Sequence, residues 1–249
     1  MTGYNEAFII STEKRDEILA NCNSEKERTC TAEIIRPILR GRDIKKYSYD
    51  WAGLWLIATF PAKHYDIEQY PALKEYLLSI GKEKLEQTGK THKVGSVEIK
   101  SRKKTNNKWF ETQDSIAYWD DFNKPKICWA SVGDTSYSLV PEKYLLLDTN
   151  YFFSTDNPSE LLAILNSKLI TWWIKSEDTQ LGSGGAWRHY KYNLEKLHVP
   201  KTDNLFHDLI ENIIINHKLS DSMYKINHIV YELYHLTDEE IMYIEDRER

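Results

Sequence analysis

The stretch "IIRPILRGRDIKKYSYDW", residues 34–51, decides how the front of this chain folds. It opens with an apolar, β-branched run, which predicts a buried strand, and then breaks into the charged sequence Arg-Gly-Arg-Asp. A second apolar run, "GLWLIATF" at residues 53–60, predicts another strand beyond the break. Two strands separated by a charged turn point to a body built from sheets and helices.

The composition indicates an ordinary globular chain with a strong aromatic content. Its 249 residues allow one large domain or two small ones. The 8 tryptophans and 16 tyrosines favour a recognition surface as well as a core. A net charge of −5 argues against a uniformly basic surface that coats nucleic acid, but it is compatible with a local basic patch.

The cysteines and the apolar runs predict where the protein resides. The three cysteines are odd in number and form no C-x-x-C pair, which argues against a disulfide framework or a structural zinc site. The first residues show no signal-peptide pattern. No apolar run approaches the ~20 residues that a bilayer-spanning helix needs. We therefore expect a cytoplasmic protein that does not associate with membranes.

The last part of the chain has a helical pattern. Apolar residues recur at helical spacing at Phe206, Leu209, Ile210, Ile213, Met223, Ile226, Val230 and Leu233. They predict one long helix, or two in line, with an apolar stripe that another surface must cover. We predict an α+β fold, with a mixed sheet-and-helix body at residues 1–202 and a C-terminal helical element at 203–249.

Charge is distributed unevenly along the chain. Residues 81–110 hold nine Lys/Arg against three Glu, whereas residues 203–249 hold four Lys/Arg against eleven Asp/Glu. Lysine and arginine neutralise phosphates, and asparagine can read base edges. The predicted DNA-binding residues of the first segment are Lys90, His92, Lys93, Lys100, Arg102, Lys103, Lys104, Asn106, Asn107 and Lys108. A second basic cluster, Arg188, His189 and Lys191, follows a glycine-rich loop.

The search for catalytic chemistry yields little. Glu98 and Lys100 fit the Glu-x-Lys half of a metal-dependent nuclease motif, but the Pro-Asp half is missing. We find no cofactor-binding glycine turn, no P-loop and no histidine pair at metal-ligand spacing. We predict no catalytic residue and no metal ligand. Two alternatives stay open, namely a self-sufficient metal-dependent nuclease and a protein-interaction module that does not bind DNA.

Five motifs in order carry a family resemblance. They are "IIRPILRGRDIKKY" at 34–47, "KWFETQDSIAYWDDFNKPKICWASV" at 108–132, "LLAILNSKLITWWIK" at 161–175, "YKYNLEKLHVP" at 190–200 and "INHIVYELYHLTDEEIMYIED" at 226–246. The chain resembles the TaqI-like C-terminal specificity domain, the target-recognition domain of type II, IIG-like restriction-modification enzymes. Members of that family normally carry a methyltransferase domain, and often a nuclease, ahead of this region.

The resemblance implies a function without catalysis. The chain is expected to recognise a sequence in double-stranded DNA and to direct a methyltransferase or endonuclease domain or subunit to it. S-adenosylmethionine and Mg²⁺ are expected only in those catalytic domains, and the chain is either a piece of a larger enzyme or a separate specificity subunit. The acidic tail is expected to dock on the catalytic part or on another helix.

The resemblance also assigns roles in the Arg-Gly-Arg-Asp turn. Gly41 is expected to free the backbone for the turn, and Arg42 is expected to pair with Asp43. Arg40 and Lys45 are then expected to contact phosphates. The segments 89–110 and 182–191 are expected to enter or flank a groove of the duplex.

Overall fold

The chain is built from helices and short strands. The computed structural model describes residues 2–94, 96–116, 118–183, 185–216 and 219–248. The helices are α1 (Asn5–Phe8), α2 (Thr12–Ala20), α3 (Glu25–Ile34), α4 (Pro71–Ile80), α5 (Lys82–Leu85), α6 (Pro158–Leu165), α7 (Lys168–Glu177), α8 (Lys191–Leu194), α9 (His207–Asn216), α10 (Leu219–Leu233) and α11 (Asp238–Arg247). The strands are β1 (Ile9–Ser11), β2 (Ile35–Leu39), β3 (Leu54–Ile57), β4 (Thr91–Val94), β5 (Val97–Lys100), β6 (Lys126–Ala130), β7 (Val132–Gly133), β8 (Tyr137–Val140), β9 (Leu145–Leu146), β10 (Asn150–Phe153), β11 (Thr179–Leu181) and β12 (Ala186–Arg188). Helices mixed with several small sheets confirm the predicted α+β fold.

The described chain forms two units. Unit 1 contains Met1–Ile38, Trp51–Asp120 and Lys143–Leu145, and unit 2 contains Leu39–Asp50, Asp121–Glu142 and Leu146–Arg249. The predicted domain boundary near residue 203 does not coincide with this division, since unit 2 extends through it. No helix among the described residues is long and apolar enough to cross a membrane.

Unit 1 is organised around the strands predicted on either side of the charged break. β3 lies between β1 and β2 and is antiparallel to both, with Ile35 opposite Ile57 and Ile9 opposite Leu56. Ile35, Leu56 and Ile57 are fully buried, which confirms the two apolar runs as core strands. Ser11 caps α2, because its hydroxyl accepts a hydrogen bond from the amide of Lys14 at 3.3 Å.

Unit 2 contains two small antiparallel sheets. The first has the order β10-β6-β8, and its central strand is buried at every position. Even Lys126 on this strand is inaccessible, and its ammonium donates to the carbonyl of Pro141 at 3.0 Å. The second sheet has the order β11-β12-β7 and is formed by a hairpin that adds to the short strand β7.

The C-terminal helices belong to the core of unit 2. Phe206, Ile210, Ile213, Ile226 and Val230 are all buried. They join one hydrophobic cluster with residues of α6 and α7. The predicted apolar stripe is therefore confirmed, and the surface that covers its buried residues lies within the chain itself. The pattern is carried by two helices, α9 and α10, and residues 217 and 218 lie outside the described part.

A buried carboxylate reinforces this arrangement. The sequence pattern places Glu160 in a capping box with Asn157 at the start of α6. In the structure, Asn157 makes no side-chain cap, and Glu160 instead accepts a hydrogen bond from the amide of Phe206 at 2.8 Å. Glu160 is therefore a link between α6 and the chain that enters α9, and the sequence interpretation as a local cap is corrected.

This core predicts how the isolated chain responds to mutation. Ile226→Ala should lower the free energy of unfolding by about 3 kcal/mol, because a fully buried isoleucine is removed. Ile215→Ala is the matched control, since Ile215 is 62% exposed and its loss should stay within about 0.5 kcal/mol. Urea denaturation of both variants measures the difference. Equal stability of the two variants would show that the stripe is not part of the core.

Candidate nucleic-acid interface

The segment 89–110 of unit 1, called the basic segment below, contains a β-hairpin near its start. β4 and β5 pair antiparallel, with Thr91 opposite Lys100 and Lys93 opposite Glu98. Because side chains directly opposite each other share a face, these four polar residues lie on one face of the ribbon.

Arg102 fixes the chain that follows the hairpin. Its side chain is buried, and its guanidinium donates to the carbonyls of Leu85 (2.8 Å), Thr2 (2.8 Å), Glu111 (2.8 Å) and Trp109 (2.6 Å). Burial lowers the pKa of Arg102 to about 10. Since its donors are satisfied within the chain, Arg102 is a structural residue, and the prediction that it contacts DNA is corrected.

Two amide side chains complete the same framework. Gln87 is buried and donates to the carbonyls of Lys108 (3.1 Å) and Glu111 (3.0 Å). Asn107 donates to the carbonyls of Thr112 (3.3 Å) and Gln113 (2.9 Å). The Asn107 amide is thus used to hold the loop, whereas the neighbouring Asn106 is exposed.

The remaining cations of the segment face solvent. The exposed lysines are Lys90, Lys93, Lys100, Lys103, Lys104 and Lys108. Lys93 has a carboxylate neighbour, Glu98, at 3.8 Å on the hairpin, and the half-buried His92 lies 3.8 Å from the carboxylate of Glu86. The structure thus places six lysines and Asn106 on the surface of one segment. The side chains of Arg102 and Asn107 instead bind carbonyl groups within the chain.

The second predicted cluster spans the end of β12 and the start of α8, next to the open end of the β11–β12 hairpin in unit 2. Asp178 is buried at its base, and one carboxylate oxygen accepts from Asn193 at 2.9 Å and from the amide of Tyr190 at 3.2 Å. The other oxygen lies 2.7 Å from Nδ1 of His189, which is 4% exposed. The predicted DNA contact at His189 is therefore corrected, because its ring is enclosed and held by Asp178. Arg188 and Lys191 are exposed.

The glycine cluster of the same segment forms the turn of this hairpin. Gly182 and Gly185 have φ angles of +61° and +74°, in the left-handed region that side chains with a Cβ disfavour. A Cβ at either position would meet no atom within 4 Å. These glycines are therefore required by backbone conformation and not by crowding. Gly184 lies outside the described residues.

The Arg-Gly-Arg-Asp turn is closed by Arg40 and not by Arg42. The Arg40 guanidinium donates to both oxygens of Asp43, at 2.7 and 3.0 Å, and the Arg40 amide donates to the same carboxylate at 2.8 Å. This corrects the expected Arg42–Asp43 pair and the expected phosphate contact of Arg40. Arg42 is exposed, while Lys45 donates to the carbonyl of Arg42 at 3.1 Å.

Gly41 allows the turn to lie close to the neighbouring chain. A Cβ at this position would come within 3.3 Å of the Ala130 side chain and 3.4 Å of the Thr149 carbonyl. The Gly41 amide also donates to the Thr149 hydroxyl at 3.2 Å. Close approach, and not an unusual backbone angle, is the reason for glycine here.

Lys46 is a feature that the sequence interpretation did not predict. Burial lowers its pKa to about 8, with Lys175 and Lys168 adding to the decrease and Glu248 opposing it. Lys168 and Lys175 form ion pairs with Glu245 and with Glu248 (2.6 Å), respectively. No sequence signal separates Lys46 from the exposed Lys45 beside it, because the difference arises from the packing of α7 and α11.

The nuclease alternative receives no support from this geometry. Glu98 is exposed on β5 and faces a lysine. Within the described residues, the group of side chains close enough to share a metal ion is His207, Asp208 and Glu211, all exposed on α9. Glu98 is not among them.

The Arg40–Asp43 pair makes a prediction about pH. Burial opposes ionisation of Asp43, but the hydrogen bonds from Arg40 outweigh it and hold the pKa of Asp43 below its usual value. Asp43→Asn should lower the free energy of unfolding by about 2 kcal/mol at neutral pH. Because the folded pKa is the lower one, this difference should persist above about pH 4 and shrink as the pH falls through the folded pKa. Denaturation curves across pH measure it, and a difference that is independent of pH would refute the assigned role.

The Arg102 framework makes a prediction about stability. Arg102→Ala should destabilise the chain by about 3 kcal/mol, because it leaves buried carbonyls without donors. Arg102→Lys should restore little, since an ammonium cannot match the forked geometry. Lys103→Ala is the control and should stay within about 0.5 kcal/mol, because Lys103 is exposed. A stable Arg102→Ala protein would return this residue to the candidate binding surface.

Comparison with known proteins identifies a similar solved structure and a matching family model. A solved structure of the Type IIL restriction-modification enzyme MmeI in complex with DNA is similar to 93% of this chain, with a TM-score of 0.56 and 12% identity, and this similarity shows the fold alone. The present chain covers 31% of that chain. No curated protein matches. The family model of the TaqI-like C-terminal specificity domain matches residues 36–199 of the 249. As the sequence motifs indicated, the chain belongs to the TaqI-like C-terminal specificity domain family.

Proposed function

We propose that this chain recognises a specific sequence in double-stranded DNA and thereby directs a restriction-modification methyltransferase or endonuclease to its target. Membership of a specificity-domain family is the observation that carries the proposal. The similar MmeI structure is a complex with DNA, which supports DNA as the partner. In this proposal the chain binds the target sequence, and a catalytic domain or subunit is its protein partner.

The electrostatics of the basic segment support this role. Its exposed lysines are suited to phosphates, because an ammonium on a flexible stem neutralises charge without requiring one geometry. Asn106 is the exposed amide of the segment and is suited to a base edge. Arg102 contributes indirectly by holding Lys103 and Lys104 on an ordered backbone.

The proposal assigns chemistry to other parts of the enzyme. The domain itself holds no cofactor in this proposal, and S-adenosylmethionine and Mg²⁺ serve the methyltransferase and endonuclease. The site of action is the cytoplasm, where the DNA substrate of such an enzyme lies. The proposal includes no membrane partner.

Salt dependence tests the contribution of the basic segment. Each neutralised phosphate contributes about −0.9 to the slope of log K against log salt concentration. Lys103→Ala combined with Lys104→Ala should therefore flatten the slope by about two units and weaken binding to all duplexes alike. Fluorescence anisotropy with labelled duplexes at several salt concentrations measures this change.

A charge-matched control separates local contacts from net charge. Lys26→Ala combined with Lys201→Ala removes two exposed lysines elsewhere and should leave the slope unchanged. If both double variants alter the slope equally, the basic segment is not the contact surface. Absence of any duplex binding by the parent chain favours the protein-interaction module. Mg²⁺-dependent plasmid cleavage that is lost in Glu98→Ala favours the nuclease.

A further inference from the structure

One face of the small sheet β11-β12-β7 presents a row of exposed side chains. Arg188 on the central strand lies opposite Thr179 on one side and opposite Val132 on the other. Residues paired in this way on adjacent strands project from the same face of a sheet. All three are exposed, and Val132 is 45% exposed although it is a strand valine.

The opposite face of the same sheet is partly covered by the protein at Trp187 and Gly133 and is exposed at Gln180. Trp187 and Gly133, which lie opposite each other, are both partly buried. Gln180 lies opposite Trp187 and therefore shares that face. The row Thr179–Arg188–Val132 is thus the more exposed face of the sheet, since all three of its members are exposed.

The row is held on a rigid frame. The buried Asp178 lies next to Thr179, and its partner His189 lies next to Arg188, so their contact ties the open ends of β11 and β12 together. The His189 amide also donates to the carbonyl of Ser131, beside Val132, at 2.9 Å. The residues flanking all three members of the row are therefore connected by short contacts, and the backbone beneath the row has little freedom.

Arg188 is not used by the fold. Among the described residues, its guanidinium has no hydrogen-bond acceptor, carboxylate or aromatic ring as a partner. Arg188 thus differs from Arg40 and Arg102, whose guanidinium groups are satisfied within the chain. An unpaired guanidinium on a rigid frame, between a hydroxyl and an exposed apolar side chain, is suited to a ligand that offers paired acceptors beside an apolar group.

We propose that the row Thr179–Arg188–Val132 is a base-reading surface, with Arg188 reading guanine and Val132 contacting a thymine methyl group. This inference rests on the proposed function. Guanine presents two acceptors, O6 and N7, in the major groove, and thymine presents a methyl group there. The groove admits a small β-ribbon. Two strand spacings, about 10 Å, match the rise of about three base pairs, so the row reads adjacent positions.

Sequence selection from random duplexes with the full chain tests the inference. The parent should enrich a motif that contains a guanine read by Arg188. Arg188→Ala should lose about 10-fold or more of the discrimination at that one position. Arg188→Gln should change the preference there from guanine to adenine, because the glutamine amide matches the N6 and N7 pattern of adenine. Val132→Ala should alter only a position next to it.

A control variant on the same hairpin separates a specific effect of Arg188 from a general effect of altering the hairpin. Gln180→Ala removes an exposed polar side chain from the opposite face and should leave the selected motif unchanged. The inference is overturned if both Arg188 variants select the parental motif, or if Gln180→Ala changes the motif and the Arg188 variants do not. A parent chain that enriches no motif at all overturns the proposed function, and the inference with it.

Discussion

Irregular backbone inside a folded chain must find partners for its amide and carbonyl groups, and buried charged side chains supply them here. Arg102 donates to four carbonyls that belong to three separated segments of unit 1. Asp178 accepts from the chain that leaves β12, and Asp43 accepts from the backbone of its own turn. Short strands alone cannot order such a chain, because the ladders they form are too small.

This constraint divides the charged residues into two classes with different tasks. The ones with buried side chains, such as Arg102 and Asp178, are satisfied within the chain and help to fix the backbone that carries the exposed ones. The exposed ones, such as Lys103 and Arg188, face solvent and are the residues proposed to contact DNA. Sequence neighbours thus serve opposite purposes. Arg102 precedes Lys103, and Arg188 precedes His189, yet in each pair one side chain holds the framework and the other faces solvent.

The helices and strands were largely predictable from the sequence. Whether a given charged side chain is buried, and which group it binds, was not. The β-branched runs of β2 and β3 and the helical spacing of Ile213, Ile226 and Val230 carry their periodicity in the sequence. Whether an arginine is buried depends on carbonyls distant in sequence, such as that of Thr2 for Arg102, and no local pattern encodes that distance. Glu160 was misassigned for the same reason, since its partner Phe206 lies forty-six residues away.

In the sheet β11-β12-β7, the residues that hold the frame differ from the residues of the exposed row. Its frame depends on Asp178, His189 and the backbone pairing of β12, none of which requires a particular side chain at positions 179, 188 or 132. Substitutions at those three positions are therefore expected to leave the frame intact. If the row reads bases as proposed, recognition and folding depend on different residues of this sheet, and a change of target does not require a change of the frame.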